Sequence, residues 1–152
     1  MKKYLACAIA LLLLVLCPIN VMADKNDPKT ETMIYLENGD YITVTLSESS
    51  TRATNTKSGS KTYTYYSSSG TTEWKAVLTG TFTYTGSSAT CTASNCNVTL
   101  YNSAWYVVSK TASKSGNKAT ADVTIGQKWL GITVNKESVS ILLTCSANGT
   151  LS

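Results

Sequence analysis

The chain has 152 residues, 13 of them basic and 9 acidic, a net charge of +4 and no histidine. That length suffices for one ordinary domain with its own core, and the charge excess is too small for the dense basic patch that nucleic acid recognition uses. Without imidazole there is no Ser-His-Asp or Cys-His nucleophilic pair, no His-ligated zinc and no usual general base near neutral pH.

Residues 1–23 read as a signal peptide. Lys2 and Lys3 form a positive head, Leu5 to Leu16 an apolar run, and Val21-Met22-Ala23 places small residues three and one positions before Asp24. This is the pattern a signal peptidase cuts, and the run is too short for a membrane span. Cys17 raises a lipid-anchor alternative, but Leu16 is larger than a lipobox allows before its cysteine. The expected product is a secreted, extracellular chain of 129 residues with no transmembrane segment.

Ser and Thr supply 43 of those residues, and Gly, Asn and Tyr many others. Thr and Tyr suit half-buried sheet, Ser, Gly and Asn its turns. Residues 24–46 form an acidic N-terminal segment in which Asn38-Gly39 separates two short strands, 33–36 and 41–46, a strong hairpin signal. Residues 47–60 (SESSTRATNTKSGS) have almost no apolar side chains and read as a linker, so the hairpin either adds to the sheet or is a removable pro-segment. Arg52, the only arginine, lies there as a solvated residue or a protease site.

Residues 61–152 read as the main domain. The clearest strand is 73–85, with Trp74, Ala76, Leu78, Gly80, Phe82 and Tyr84 on one face and Glu73, Lys75, Thr79, Thr81 and Thr83 on the other. Strand 118–125 turns Ala119, Ala121, Val123 and Ile125 inward, 139–145 aligns Val139, Ile141, Leu143 and Cys145, and 95–101 aligns Cys96, Val98 and Leu100. Weaker strands fall at 62–66, 105–112 and 132–134, with turns at Ser115-Gly116-Asn117 and Asn135-Lys136-Glu137-Ser138. The class is all-β. Short strands spaced this way predict an immunoglobulin-like β-sandwich, with a small β-barrel as the alternative.

Cys91, Cys96 and Cys145 remain after cleavage, and an oxidising compartment favours one disulfide with one thiol left over. Cys145 points inward. Side-chain parity pairs it with Cys96, whereas loop position, in the run Gly86-Ser87-Ser88-Ala89-Thr90, favours Cys91. Three cysteines without a paired CxxC do not read as a metal site, and no cofactor is expected. Glu73, Asp122 and Glu137 read as solvated, and nothing brings two carboxyl groups together as a glycosidase requires. No enzyme activity is expected. Trp74 reads as core. Trp105 and Trp129 fall near strand ends or turns, where an aromatic ring can present a flat face to a ligand, and they are the candidate ligand-contact residues. At least one of Tyr63, Tyr65 and Tyr66 is expected at the surface.

The stretch from Arg52 to Ser152 resembles a group of small secreted proteins from gut Firmicutes with no assigned function. The residues that carry the resemblance are Ser58-Gly59-Ser60-Lys61, Gly70 to Trp74, Phe82-Thr83-Tyr84-Thr85-Gly86-Ser87-Ser88, Lys114-Ser115-Gly116-Asn117-Lys118-Ala119 and Leu143-Thr144-Cys145-Ser146-Ala147-Asn148-Gly149. The resemblance implies a Cys91–Cys145 disulfide and no activity. Two function classes remain open: a non-enzymatic binding or surface-interaction module for a glycan or cell-surface protein, and a bacteriocin-like effector acting on competitor cells or membranes.

Overall fold

The structure, a computed structural model, describes residues 30–49 and 55–152. The expected signal peptide, Cys17 and Arg52 lie outside the described residues. Eight strands follow one another: β1 (Thr30–Tyr35), β2 (Tyr41–Ser49), β3 (Thr56–Tyr66), β4 (Thr72–Tyr84), β5 (Ala89–Leu100), β6 (Trp105–Ser115), β7 (Lys118–Trp129) and β8 (Ile132–Thr144). They form an antiparallel five-stranded sheet, β1-β2-β3-β4-β5, and an antiparallel three-stranded sheet, β6-β7-β8. No helix among the described residues is long and apolar enough to cross a membrane.

The period-two pattern sets which faces meet. Trp74, Ala76, Leu78 and Phe82 of β4 are buried, as are Ala119, Ala121, Val123 and Ile125 of β7 and Ile141 and Leu143 of β8. These two inner faces make one core, closed at one end by Tyr65, Trp74 and Trp105. Tyr65 stacks on Trp74 with ring centroids 5.1 Å apart and meets Trp105 at 5.3 Å. β4 runs unbroken through Gly80. This glycine lies beneath the Phe82 ring, which a Cβ there would strike.

The architecture is all-β, sandwich-like and unclosed. Every ladder joins strands that are neighbours in sequence, so the described strands contain no Greek-key crossing of the immunoglobulin kind. Residues read as linker are in part strand: Ser47 pairs with Ser60, Glu48 with Gly59 and Ser49 with Ser58, and the β1–β2 hairpin lies in the sheet through β3. Asn135-Lys136-Glu137-Ser138 is not a turn but the middle of β8. Its polar side chains sit on a strand whose outer face is in water, and Asn135 Nδ2 donates to Glu137 Oε1 at 3.0 Å.

Three turns share one geometry. In 36–40, 67–71 and 146–150, the first residue's N–H reaches the fifth residue's carbonyl, and a glycine in fourth place donates to the first carbonyl at 2.8–3.0 Å. Gly39, Gly70 and Gly149 each take φ between 81° and 85°, a backbone open to glycine and strained for other residues. The sequence offers this glycine in three different contexts, LENGD, SSSGT and SANGT.

The chain passes from the first sheet to the second between β5 and β6, and Glu73 holds that crossing. Its Oε2 accepts from Asn102 Nδ2 at 2.7 Å and from Trp105 Nε1 at 2.9 Å, while its carbonyl accepts from the N–H groups of Tyr101 and Asn102. Parity assigns Glu73 to the solvent face, but β3 pairs Tyr65 with Trp74 and Tyr66 with Thr72, so Glu73 is the extra residue of a bulge, and it is 9% exposed. Removing a buried, doubly bonded carboxylate strands its donors, so Glu73→Ala is expected to cost about 1–3 kcal/mol. Asp122→Asn, on the exposed face of β7, should change stability by less than about 0.5 kcal/mol. Urea unfolding of the two variants checks the contrast.

Candidate functional site

The two candidate tryptophans part company. Trp105 is 4% exposed and its indole N–H is bound to Glu73, so it belongs to the core and is not a ligand contact. Trp129 is 68% exposed and stands at the end of the β7–β8 hairpin, opposite Ile132 in the last pair of the ladder.

That hairpin closes with the two residues Leu130 and Gly131, at φ 49° and 82°. Positive φ at both positions is the type I′ pattern, which matches strand twist and normally takes Asn-Gly, Asp-Gly or Gly-Gly. A leucine here is strained, and this one is 89% exposed. Ile132 and Val134 on β8 are also exposed. Four large apolar side chains thus gather at one tip, with the cations Lys128 and Lys136 behind them.

The base of the hairpin is braced. Lys128 N–H donates to the Ala104 carbonyl at 2.8 Å, tying β7 to the crossing that Glu73 holds. The Tyr106 ring covers Gly126, where a Cβ would collide with it. Its hydroxyl is 2.7 Å from Thr133 Oγ1, and the Lys128 ammonium lies 4.5 Å from the ring centroid.

A second aromatic group lies on the outer face of the five-stranded sheet, at the same end of the strands. Tyr41 stacks on Tyr66 at 4.9 Å and 12°, and Tyr35 tilts against Tyr41 at 5.8 Å. Tyr35 is exposed, Tyr66 and Tyr63 are half-buried, and Tyr65 is fully buried with its hydroxyl donating to Asp40 at 2.5 Å. None of the three tyrosines in 63–66 is therefore an exposed surface residue.

Cys91, Cys96 and Cys145 are buried, unbonded thiols, so the expected Cys91–Cys145 disulfide is not present. The Cys91 thiol donates to the Ala93 carbonyl and the Cys145 thiol to that of Ser146. The backbone nonetheless brings these two cysteines to one turn: Cys91 N–H donates to Gly116 and Cys145 N–H to Asn117. Parity places Cys96 inward correctly, and the structure buries it, but a bulge turns Cys91 inward as well. Phe82 pairs with Cys91 and Thr81 with Ala93, so Thr92 is an extra residue that resets the alternation and turns both Cys91 and Cys96 inward.

Other surfaces carry less chemistry. A depression of about 450 Å³ between β2, β3 and β4 is lined by hydroxyls, among them Ser47, Ser58, Ser60 and Thr79. Its carboxylate, Glu48, is paired with Lys57 at 2.7 Å. Among the described residues no group of three or more Cys, Asp or Glu is placed to hold a metal ion. Comparison with protein-family models, with curated proteins and with solved structures finds no match to this chain.

The titratable groups of the core predict a pH profile. Burial raises the three thiols above their ordinary 9.0. Burial, aided by the hydrogen bond to Asp40, raises the Tyr65 phenol above its ordinary 10.0, and burial raises Tyr63 as well. Each group holds its proton more tightly folded than unfolded, so its contribution is full below the ordinary value and is lost as pH climbs through the folded one. With no imidazole to titrate, the melting temperature should stay level between about pH 6 and 8 and fall above about pH 9. A scanning-calorimetry series across pH checks this.

Proposed function

We propose that this chain is exported and serves as a non-enzymatic binding or surface-interaction module whose contact is the tip of the β7–β8 hairpin. The observation that carries the reading is Leu130: a bulky side chain at 49°, almost fully in water, on a braced hairpin beside the exposed Trp129. A strained residue held by well-packed surroundings is more often a feature of function than of stability. Aromatic residues on rigid elements are the usual anchors of an interface. The absence of histidine from the whole sequence supports binding over hydrolysis. A secreted module of this kind would meet a glycan or a cell-surface protein first. The runner-up, a bacteriocin-like effector, draws on the same tip, and growth inhibition of related bacteria by the pure protein would favour it.

Export is tested by intact-mass measurement on culture supernatant, where the chain is expected to begin at Asp24; a lipid-modified Cys17 at the N-terminus would refute it. Contact is tested by retention on immobilised mucin and on whole bacterial cells. Trp129→Ala should keep the wild-type circular dichroism and melting curve and weaken retention by about 2 kcal/mol or more. Trp105→Ala should instead cost about 3–5 kcal/mol of stability, since it empties a core position. Retention unchanged in Trp129→Ala would remove the hairpin tip as the contact.

A further inference from the structure

Building on the binding-module reading, we infer that the β7–β8 hairpin tip seats the protein on the surface of an anionic lipid bilayer. The tip has the wrong shape for a small soluble ligand: it is convex, and the depression beside it (Thr133, Val134, Asn135, Lys136) is open and largely polar. A projecting cluster of Trp129, Leu130 and Ile132, 68–89% exposed, buries its surface only in something that yields around it. The interfacial zone of a membrane does so, taking Leu and Ile into the acyl boundary and holding Trp at headgroup level.

Charge decides which bilayer. Lys128 and Lys136 are exposed and sit one and four residues behind the apolar pair Trp129 and Ile132, a spacing that sets ammonium groups at headgroup depth when the tip is immersed. The nearest carboxylate on these strands, Glu137, is half-buried and accepts from Asn135. Tyr101, 54% exposed in the β5–β6 connection that Lys128 binds through Ala104, adds a second amphipathic ring at this end. The backbone supplies an independent sign. Asn at position 130 would relieve the left-handed strain, so the leucine serves something other than the turn.

The test uses the exported protein with vesicles of phosphatidylcholine alone and of equal parts phosphatidylcholine and phosphatidylglycerol. Co-sedimentation is expected with the anionic vesicles and should weaken as salt is raised. Because Trp74 and Trp105 are 0% and 4% exposed, quenching by brominated lipid reports on Trp129. Leu130→Asn should keep or raise the melting temperature while lowering vesicle affinity by about tenfold. Trp129→Ala gives a second reading of the same loss. Equal vesicle binding by both variants, or none by the wild type, overturns the membrane inference. If Trp129-dependent retention on cells or mucin survives that result, the module reading stands with a different partner; if it is lost too, both fall. A concentration-dependent dimer abolished by Leu130→Asn would assign the tip to a second copy and also overturn the inference.

Discussion

The arrangement of the two sheets depends on a carboxylate kept out of water. Glu73 can be buried only because Asn102 and Trp105, both beyond the end of β5, reach back to it. Apolar faces alone would let the sheets slide over one another, since hydrophobic burial has no direction. The hydrogen bonds to Glu73 remove that freedom, because a shifted crossing would leave the acid and an indole N–H unpaired. From there the constraint spreads through contact. Trp105 meets Tyr65, Tyr65 donates to Asp40, and Asp40 accepts from the backbone of Ser68, so the β1–β2 turn, the β3–β4 turn and the crossing are fixed together.

The two ends of the molecule are built differently. Away from the crossing, backbone bonds stitch turn to strand: Cys91 to Gly116, Cys145 to Asn117, Gly86 to Ala147. The Tyr84 ring fills the space over Gly149, and the bridge between Cys145 and Leu151 brings the C-terminal residues against the core. That end is sealed by main chain. At the crossing end aromatic side chains lie both inside and out, and a rigid hairpin projects from its rim.

Much of the architecture is written in local pattern. The alternation in β4 and β7 places their cores residue by residue, and Asn38-Gly39 marks its turn, although the turn spans five residues instead of two. The failures have physical causes. Parity fails where the register slips, as at Thr92, because a bulge in one strand is decided by the fit of its partner. It fails again at Glu73, an extra residue opposite Tyr65 and Tyr66 whose carboxylate is then held by a segment some thirty residues away in sequence. The polar run Asn135 to Ser138 reads as a loop because nothing local reveals a strand with so little to bury. The site was half legible. An aromatic near a turn was the available signal for both Trp105 and Trp129, and it cannot tell a ring that has found a buried acceptor from one that has not. Leu130-Gly131 was missed because the turn residues that normally announce a type I′ hairpin are replaced by the side chain that makes the tip unusual.

The strictly sequential pairing of strands within each sheet also bears on how the chain reaches this structure. Each ladder closes over a loop of a few residues, apart from the segment between β2 and β3, so strands can be added one hairpin at a time in the order in which they are delivered. A Greek key must wait for distant strands before its sheets close. A meander does not, because each new strand finds its partner already in place. Only the stacking of the second sheet on the first demands the long-range step, and the groups that make it, Glu73 on one side and Asn102 with Trp105 on the other, emerge within about thirty residues of each other.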